Sequence, residues 1–116
     1  MARAHDTAAR LARDAPIFAA LGDRTRLRIL SRLSEGRPLS ITRLTDGARI
    51  SRQAVTKHLH ALAGAGLVSS QRAGRERIWL LQPRRIEEVR RHLAAISRQW
   101  DDAIERLRVF VEKGAE

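Results

Sequence analysis

Between Ile50 and Val68 the apolar residues recur at helical spacing. Val55, Leu59 and Leu62 stand at i, i+4 and i+7, giving a helix one buried edge, while Gln53, Thr56, Lys57 and His60 are left on the other. Ser51 precedes the run and can cap its first turn by accepting from a free backbone N–H. Gly64-Ala65-Gly66 stops the helix and leads into Leu67 and Val68. Any surface helix turns polar residues outward, so the neighbouring elements decide what this edge is for.

Ahead of it lies a short segment, Ser40-Ile41-Thr42-Arg43-Leu44-Thr45, and then the turn Asp46-Gly47-Ala48-Arg49. Together they have the length that a helix-turn-helix requires. Behind it, the runs Leu67 to Arg72 and Arg77 to Leu81 flank Ala73-Gly74-Arg75-Glu76, and a glycine there permits the positive φ of a tight hairpin. Towards the N-terminus, Thr7 to Leu21 reads as an opening helix interrupted near Pro16, which prefers a first-turn position. Asp23 caps a second helix to about Glu35, with Leu27, Leu30 and Leu33 inward and Gly36 as its stop. The expected fold is mainly α with a small β-hairpin: a winged helix-turn-helix with about five helices in one domain over residues 1–116, without linker, repeat or low-complexity tract.

Pro83 starts a final helix expected to reach about Lys113. Along it Ile86, Val89, Leu93, Ile96, Trp100, Ala103, Leu107 and Phe110 alternate spacings of three and four, which is a heptad seam. At 1.5 Å per residue the seam is roughly 37 Å long. That is more apolar length than one small wing domain covers, so a partner is expected to bury part of it; folding back on its own domain is the alternative. Glu87 with Arg91 and Arg98 with Asp102 stand at i, i+4 as surface support.

The balance of 23 Lys and Arg against 13 acids gives a formal net charge of +10, and such a chain seeks polyanions. Nucleic acid and anionic membrane both answer that charge, but no apolar run approaches the ~20 residues needed to span a bilayer. Met1 to Ala15 mixes Arg3, Arg10 and Arg13 with Asp6 and Asp14, which is not the pattern of a signal peptide, so a cytoplasmic location is expected. The absence of cysteine excludes disulfides, thiolate metal sites and thiol redox sensing. A chain of 116 residues has room for one modest core and not for a separate catalytic module.

The segments Leu21-Gly22-Asp23-Arg24-Thr25-Arg26-Leu27-Arg28-Ile29-Leu30, Ser51-Arg52-Gln53-Ala54-Val55-Thr56-Lys57-His58-Leu59 and Ala65-Gly66-Leu67-Val68, followed by the basic run Arg72-Ala73-Gly74-Arg75-Glu76-Arg77, occur in an order that resembles winged helix-turn-helix repressors of the ArsR family, in the branch that lacks cysteine metal sites. The resemblance covers roughly residues 16–82. It implies a homodimeric repressor paired through its N-terminal helix and residues 83–113, the interface drawing on Ile86, Val89, Leu93, Ile96, Trp100, Leu107 and Phe110. Two recognition helices would then enter successive major grooves of an inverted-repeat operator in double-stranded DNA, with the wings on the flanking backbone or minor groove.

Within that plan affinity and base reading fall to different residues. Gln53 can read adenine with its amide, Lys57 can reach guanine or a phosphate, and Thr56 can touch a thymine methyl. Ser51 opens the helix, His60 faces DNA or solvent, and Arg52 lies nearer the edge and can grip phosphate. Arg72, Arg75 and Arg77 supply charge in the wing, with Arg75 at its tip best placed for a minor groove. Ser40 and Thr42 can offer hydroxyls or helix N-terminal amides to a phosphate. His58, beside the buried edge, is expected to be a structural hydrogen-bonding residue.

Metal-sensing relatives carry cysteines where this chain has Ser40 and Thr42, and neutral hydroxyls are poor ligands for soft ions. The zinc ligands that others carry on the last helix are represented only by His92, with Glu88 before it and Asp101, Asp102 and Glu105 beyond. His92 with Glu88 can make half of a shared site; its other reading is a polar residue beside the seam. No metal and no cofactor is expected. A small-molecule effector, for which the sequence names no candidate, would sit between the terminal helices and the wing domain.

Two other classes remain to be weighed. Asp101 and Glu105 share a helix face and imitate a carboxylate pair, yet no nucleophile or metal accompanies them, and Gly64-Ala65-Gly66 ends a helix where a phosphate loop would begin one, so an enzyme is not expected. An architectural protein that coats DNA without sequence preference also fits the charge.

Overall fold

A computed structural model describes residues 2–47 and 49–114 of the chain. Ala48, in the turn expected at 46–49, lies outside the described residues, as do Met1, Ala115 and Glu116. The chain divides into two compact units, one made of residues 15–86 and the other of 1–14 together with 87–116.

The first unit carries the helix-turn-helix and the wing. It begins with α2 (Ala15–Leu21), whose second position is Pro16, and continues with α3 (Arg24–Leu33). Asp23 caps α3 as expected, its carboxylate accepting from the Arg26 backbone N–H at 2.9 Å. Strand β1 (Leu39–Ser40) runs directly into α4 (Ile41–Thr45), and α5 (Arg52–Gly64) follows the turn. Strands β2 (Val68–Ala73) and β3 (Glu76–Leu81) form the antiparallel hairpin, with Arg72 opposite Arg77 and Ala73 opposite Glu76. Gly74 holds φ at 65° at the tip, a left-handed conformation that a side chain at that position would oppose.

The hairpin is one strand larger than expected. β1 joins the sheet in the order β1-β3-β2, with Leu39 opposite Trp79 and Ser40 opposite Ile78. Two residues carry no readable period, so this strand exists because β3 offers it a free edge.

The core of this unit is aliphatic. Ile17, Val55, Leu59, Leu62 and Leu67 have no exposed surface, and Ile29, Leu30, Leu33, Leu44 and Trp79 are buried around them. Leu27 departs from expectation: it is 49% exposed, and Ile29 takes the inward place beside Leu30 and Leu33. Residues 29, 30 and 33 form one helical face, whereas 27 lies about 200° from 29 at 100° per residue. The α5 stop is a glycine at φ 79°, Gly66, where an added Cβ would stand 3.1 Å from the Arg85 side chain. The Leu67 N–H closes back on the Leu62 carbonyl at 3.0 Å, a C-cap that turns the chain into β2.

The second unit contains α1 (Ala2–Arg13) and all but the first turn of α6 (Pro83–Gly114), a helix of 32 residues. Asp14 ends the helical run of α1, so the opening helix expected from Thr7 is two helices and the total among the described residues is six. The Asp14 carboxylate is buried and meets Nδ1 of His92. On α6 Val89 is buried and Ile86 and Ile96 are half-buried. Leu93, Trp100, Ile104, Leu107 and Val111 form an exposed stripe, flanked by Phe110. The stripe therefore passes through Ile104 where the seam read from sequence has Ala103. Glu87 pairs with Arg90 rather than with the expected Arg91, the expected pair of Arg98 with Asp102 is not formed among the described residues, and Arg108 is held between Glu105 and Glu112.

Candidate nucleic-acid interface

The outer edge of α5 is built by its inner one. Because Val55, Leu59 and Leu62 are anchored in the core, Gln53, Lys57 and His60 are exposed along the opposite side, and Arg52 is exposed at the first turn nearer the buried edge. Ser51 caps the helix, its hydroxyl accepting from the Ala54 N–H at 3.1 Å, so its polarity is spent on starting the helix. The Thr56 hydroxyl donates to the Arg52 carbonyl at 2.8 Å, which leaves the threonine methyl as the group free for an apolar contact. Oriented this way, α5 carries an amide and an ammonium group on its exposed side.

Three hydrogen bonds fix α5 and the helix before it. Arg26 on α3 donates Nε–H to Nδ1 of His58 on α5 at 3.2 Å, which gives His58 the structural hydrogen bond expected of it. Arg32 on α3 donates to the carbonyl of Leu44 at 3.1 Å, and the Thr45 hydroxyl donates to the carbonyl of Ile41 at 3.0 Å, finishing α4. Asp23 stands 3.8 Å from His58 Nδ1. The Arg26 N–H that its carboxylate accepts holds Asp23 below the usual carboxylate range, with His58 adding to the effect.

Residues far apart in sequence meet where α4, α5 and the wing converge. Thr42, Arg52, Arg75 and Arg77 line a common cleft of about 250 Å³, with Ser40 and Glu76 on its wall. Ser40 is buried and its hydroxyl accepts from the Arg43 N–H at 3.2 Å, so it caps α4, while Thr42 is exposed. Arg77 donates to the Ser70 hydroxyl at 2.7 Å, which lays its guanidinium along the hairpin. Arg75 and Arg72 are exposed and form no salt bridge or hydrogen bond through their side chains among the described residues. An extended phosphate chain passing this cleft would meet cations from two elements at once. His60 stands apart from them, its ring edge-on to Trp79 with centroids 6.0 Å apart. That contact, between α5 and β3, had no signal in the local sequence.

Among the described residues no three His, Cys, Asp or Glu side chains gather as a metal ligand set. No helix there is long and apolar enough to cross a membrane.

Comparison with known proteins agrees with this geometry. Residues 21–71 match the family model described as a helix-turn-helix domain. The chain is 47% identical over 68 residues to the uncharacterised HTH-type transcriptional regulator YuzN of Bacillus subtilis, covering 53% of this chain and 74% of the relative. It is 38% identical over 85 residues to the HTH-type transcriptional regulator Rv2034 of Mycobacterium tuberculosis, covering 73% of this chain and 76% of that one. Among solved structures, an ArsR-like transcriptional regulator from Rhodococcus sp. RHA1 superposes with a TM-score of 0.73 at 36% identity, over 84% of this chain and 91% of the other.

Proposed function

Since the chain belongs to the ArsR family of winged helix-turn-helix transcriptional regulators, we propose that it works as a homodimeric repressor, reading an inverted-repeat operator without sensing metal. The observation that carries base reading is α5 itself: a core-anchored helix that turns Gln53 and Lys57 outward beside the cation-lined cleft of Arg52, Arg75 and Arg77. The amide and ammonium groups select bases, while the arginines hold phosphates and fix the register.

Pairing rests on α6. Trp100, Ile104 and Leu107 are each more than 60% exposed in the single chain, and consecutive large apolar residues at heptad spacing are costly to leave in water. A second copy of the same helix covers them with a complementary surface. Repression is the simplest output of such a dimer, which occludes a promoter by occupying it.

The discriminating experiment compares binding to DNA from upstream of the protein's own gene with binding to scrambled DNA of equal length at fixed salt. A specific regulator prefers the native DNA by at least tenfold and leaves a footprint with two-fold symmetry. Equal affinity for both, without a footprint, assigns the charge to an architectural DNA-coating role.

A further inference from the structure

The unit formed by α1 and α6 contains a basic cleft that the DNA-reading surface does not use. It has a volume of about 500 Å³ and takes Thr7 and Arg10 from α1, and Arg91, His92 and Arg98 from α6. On α6 the spacing is i, i+3, i+4, i+7: Arg91 and Arg98 sit two turns apart with Ala94 and Ala95 between them, and the small side chains leave the space open.

Charge makes this cleft unusual. The side chains of Arg10, Arg91 and Arg98 form no salt bridge or hydrogen bond among the described residues. Glu87, one turn before Arg91, is hydrogen-bonded by Arg90, and Arg91 adds only a weaker charge attraction without a hydrogen bond. Asp14 is 4% exposed in its side chain and is committed to His92 Nδ1. That contact orients the imidazole and leaves Nε2 as its one ring nitrogen without an assigned partner. Three guanidinium groups line this concave surface, and each presents a fork suited to carboxylate or phosphoryl oxygens.

The cleft is also separate from the proposed pairing face. Arg91 and Arg98 each precede a stripe residue, Leu93 and Trp100, by two positions, which is about 200° around the helix. A second copy seated on the stripe therefore leaves Arg91 and Arg98 accessible.

We propose that this cleft binds a small-molecule oxyanion carrying at least two negative charges, a phosphorylated or polycarboxylate compound. Arg10, Arg91 and Arg98 clamp its oxygens, Thr7 and His92 border the ligand, and Ala94 and Ala95 form the floor. The volume lies within the ~300–1,000 Å³ of ordinary small-molecule sites. The inference does not depend on the DNA-binding reading, and its test contains no DNA.

Pyrophosphate and citrate are titrated by calorimetry into the full chain, against sodium chloride at matched ionic strength. At least one of them binds saturably, one per chain, with Kd below about 1 mM. Binding weakens at least tenfold in Arg91→Gln/Arg98→Gln and, on the other helix, in Arg10→Gln, with circular dichroism spectra unchanged. It is unaffected in Lys57→Ala/Arg75→Ala, which alters only the DNA-facing cations. Which probe binds tells a phosphoryl ligand from a carboxylate one. The proposal is overturned if neither probe binds beyond the chloride control, if the Arg91 and Arg98 variant still binds, or if the Lys57 and Arg75 variant loses binding.

Discussion

The Nε–H of Arg26 and the Nδ1 of His58 meet at 3.2 Å, linking two helices across 32 positions of sequence. This bond ties α5 to α3 beside Val55, Leu59 and Leu62, the buried residues that set which side of α5 is exposed. His58→Leu keeps the bulk and removes the acceptor, leaving a partly buried guanidinium without it. Stability should fall by about 1 kcal/mol, read as a lower urea midpoint at unchanged slope, and DNA affinity should fall with it. An unchanged midpoint would mean that the bond contributes nothing to the fold.

Asp23, next to that pair, makes the stability dependent on acid. Its carboxyl titrates below its ordinary range because its charged form accepts the Arg26 N–H. A depressed folded-state value stabilises the fold above the unfolded-state pKa, and the contribution is lost as pH falls through the folded one. Thermal midpoints from wild type and Asp23→Asn should therefore differ at pH 6 and converge only at a pH below the ordinary carboxylate range. A gap that stays constant down to that pH would assign Asp23 a role other than its ionised cap.

The division of labour across the DNA face predicts two kinds of loss. Gln53→Ala and Lys57→Ala should weaken the operator more than random DNA. Arg75→Ala should weaken both and lower the salt slope by about 1. Equal losses on both DNAs for Gln53→Ala would remove the case for base reading by the amide.

Hydroxyls at Ser40 and Thr42, in place of thiolates, lead to a prediction about metals. Zinc, cadmium or arsenite at stoichiometric levels should leave the protein on its operator, as followed by fluorescence anisotropy. Release that disappears in His92→Ala would show that His92 recruits ligands from a second chain.

Where the sequence was legible, the chemistry was local. The caps at Asp23 and Ser51 each join a side chain to an N–H three residues on, and the glycine stop and the Gly74 turn are equally short-range. Val55, Leu59 and Leu62 were readable because a single helical face is a periodic signal. Leu27 misled because a three-residue spacing to Leu30 fits two adjacent faces, and the choice between them belongs to tertiary packing. Strand β1, the edge-on contact of His60 with Trp79, the union of Arg52 with the wing tip and the Asp14–His92 pair all depend on the chain returning to itself. Glu87 had cations at both i+3 and i+4, and spacing alone did not choose Arg90.

The central claim is that two chains pair through the exposed stripe of α6 and present two copies of α5 to an inverted repeat. Sedimentation velocity on wild type and on Ile104→Asp/Leu107→Asp, alone and with the footprinted DNA, tests it most directly. Both residues are over 60% exposed in the single chain, so the substitutions spare its own core, and circular dichroism should be unchanged. The account predicts a wild-type dimer at micromolar concentration that binds as two chains per operator, with half-site centres ~10 bp or a small multiple apart, and a folded monomeric variant that binds weakly. A wild type that sediments as a 13.1 kDa monomer and protects one unrepeated site would contradict it.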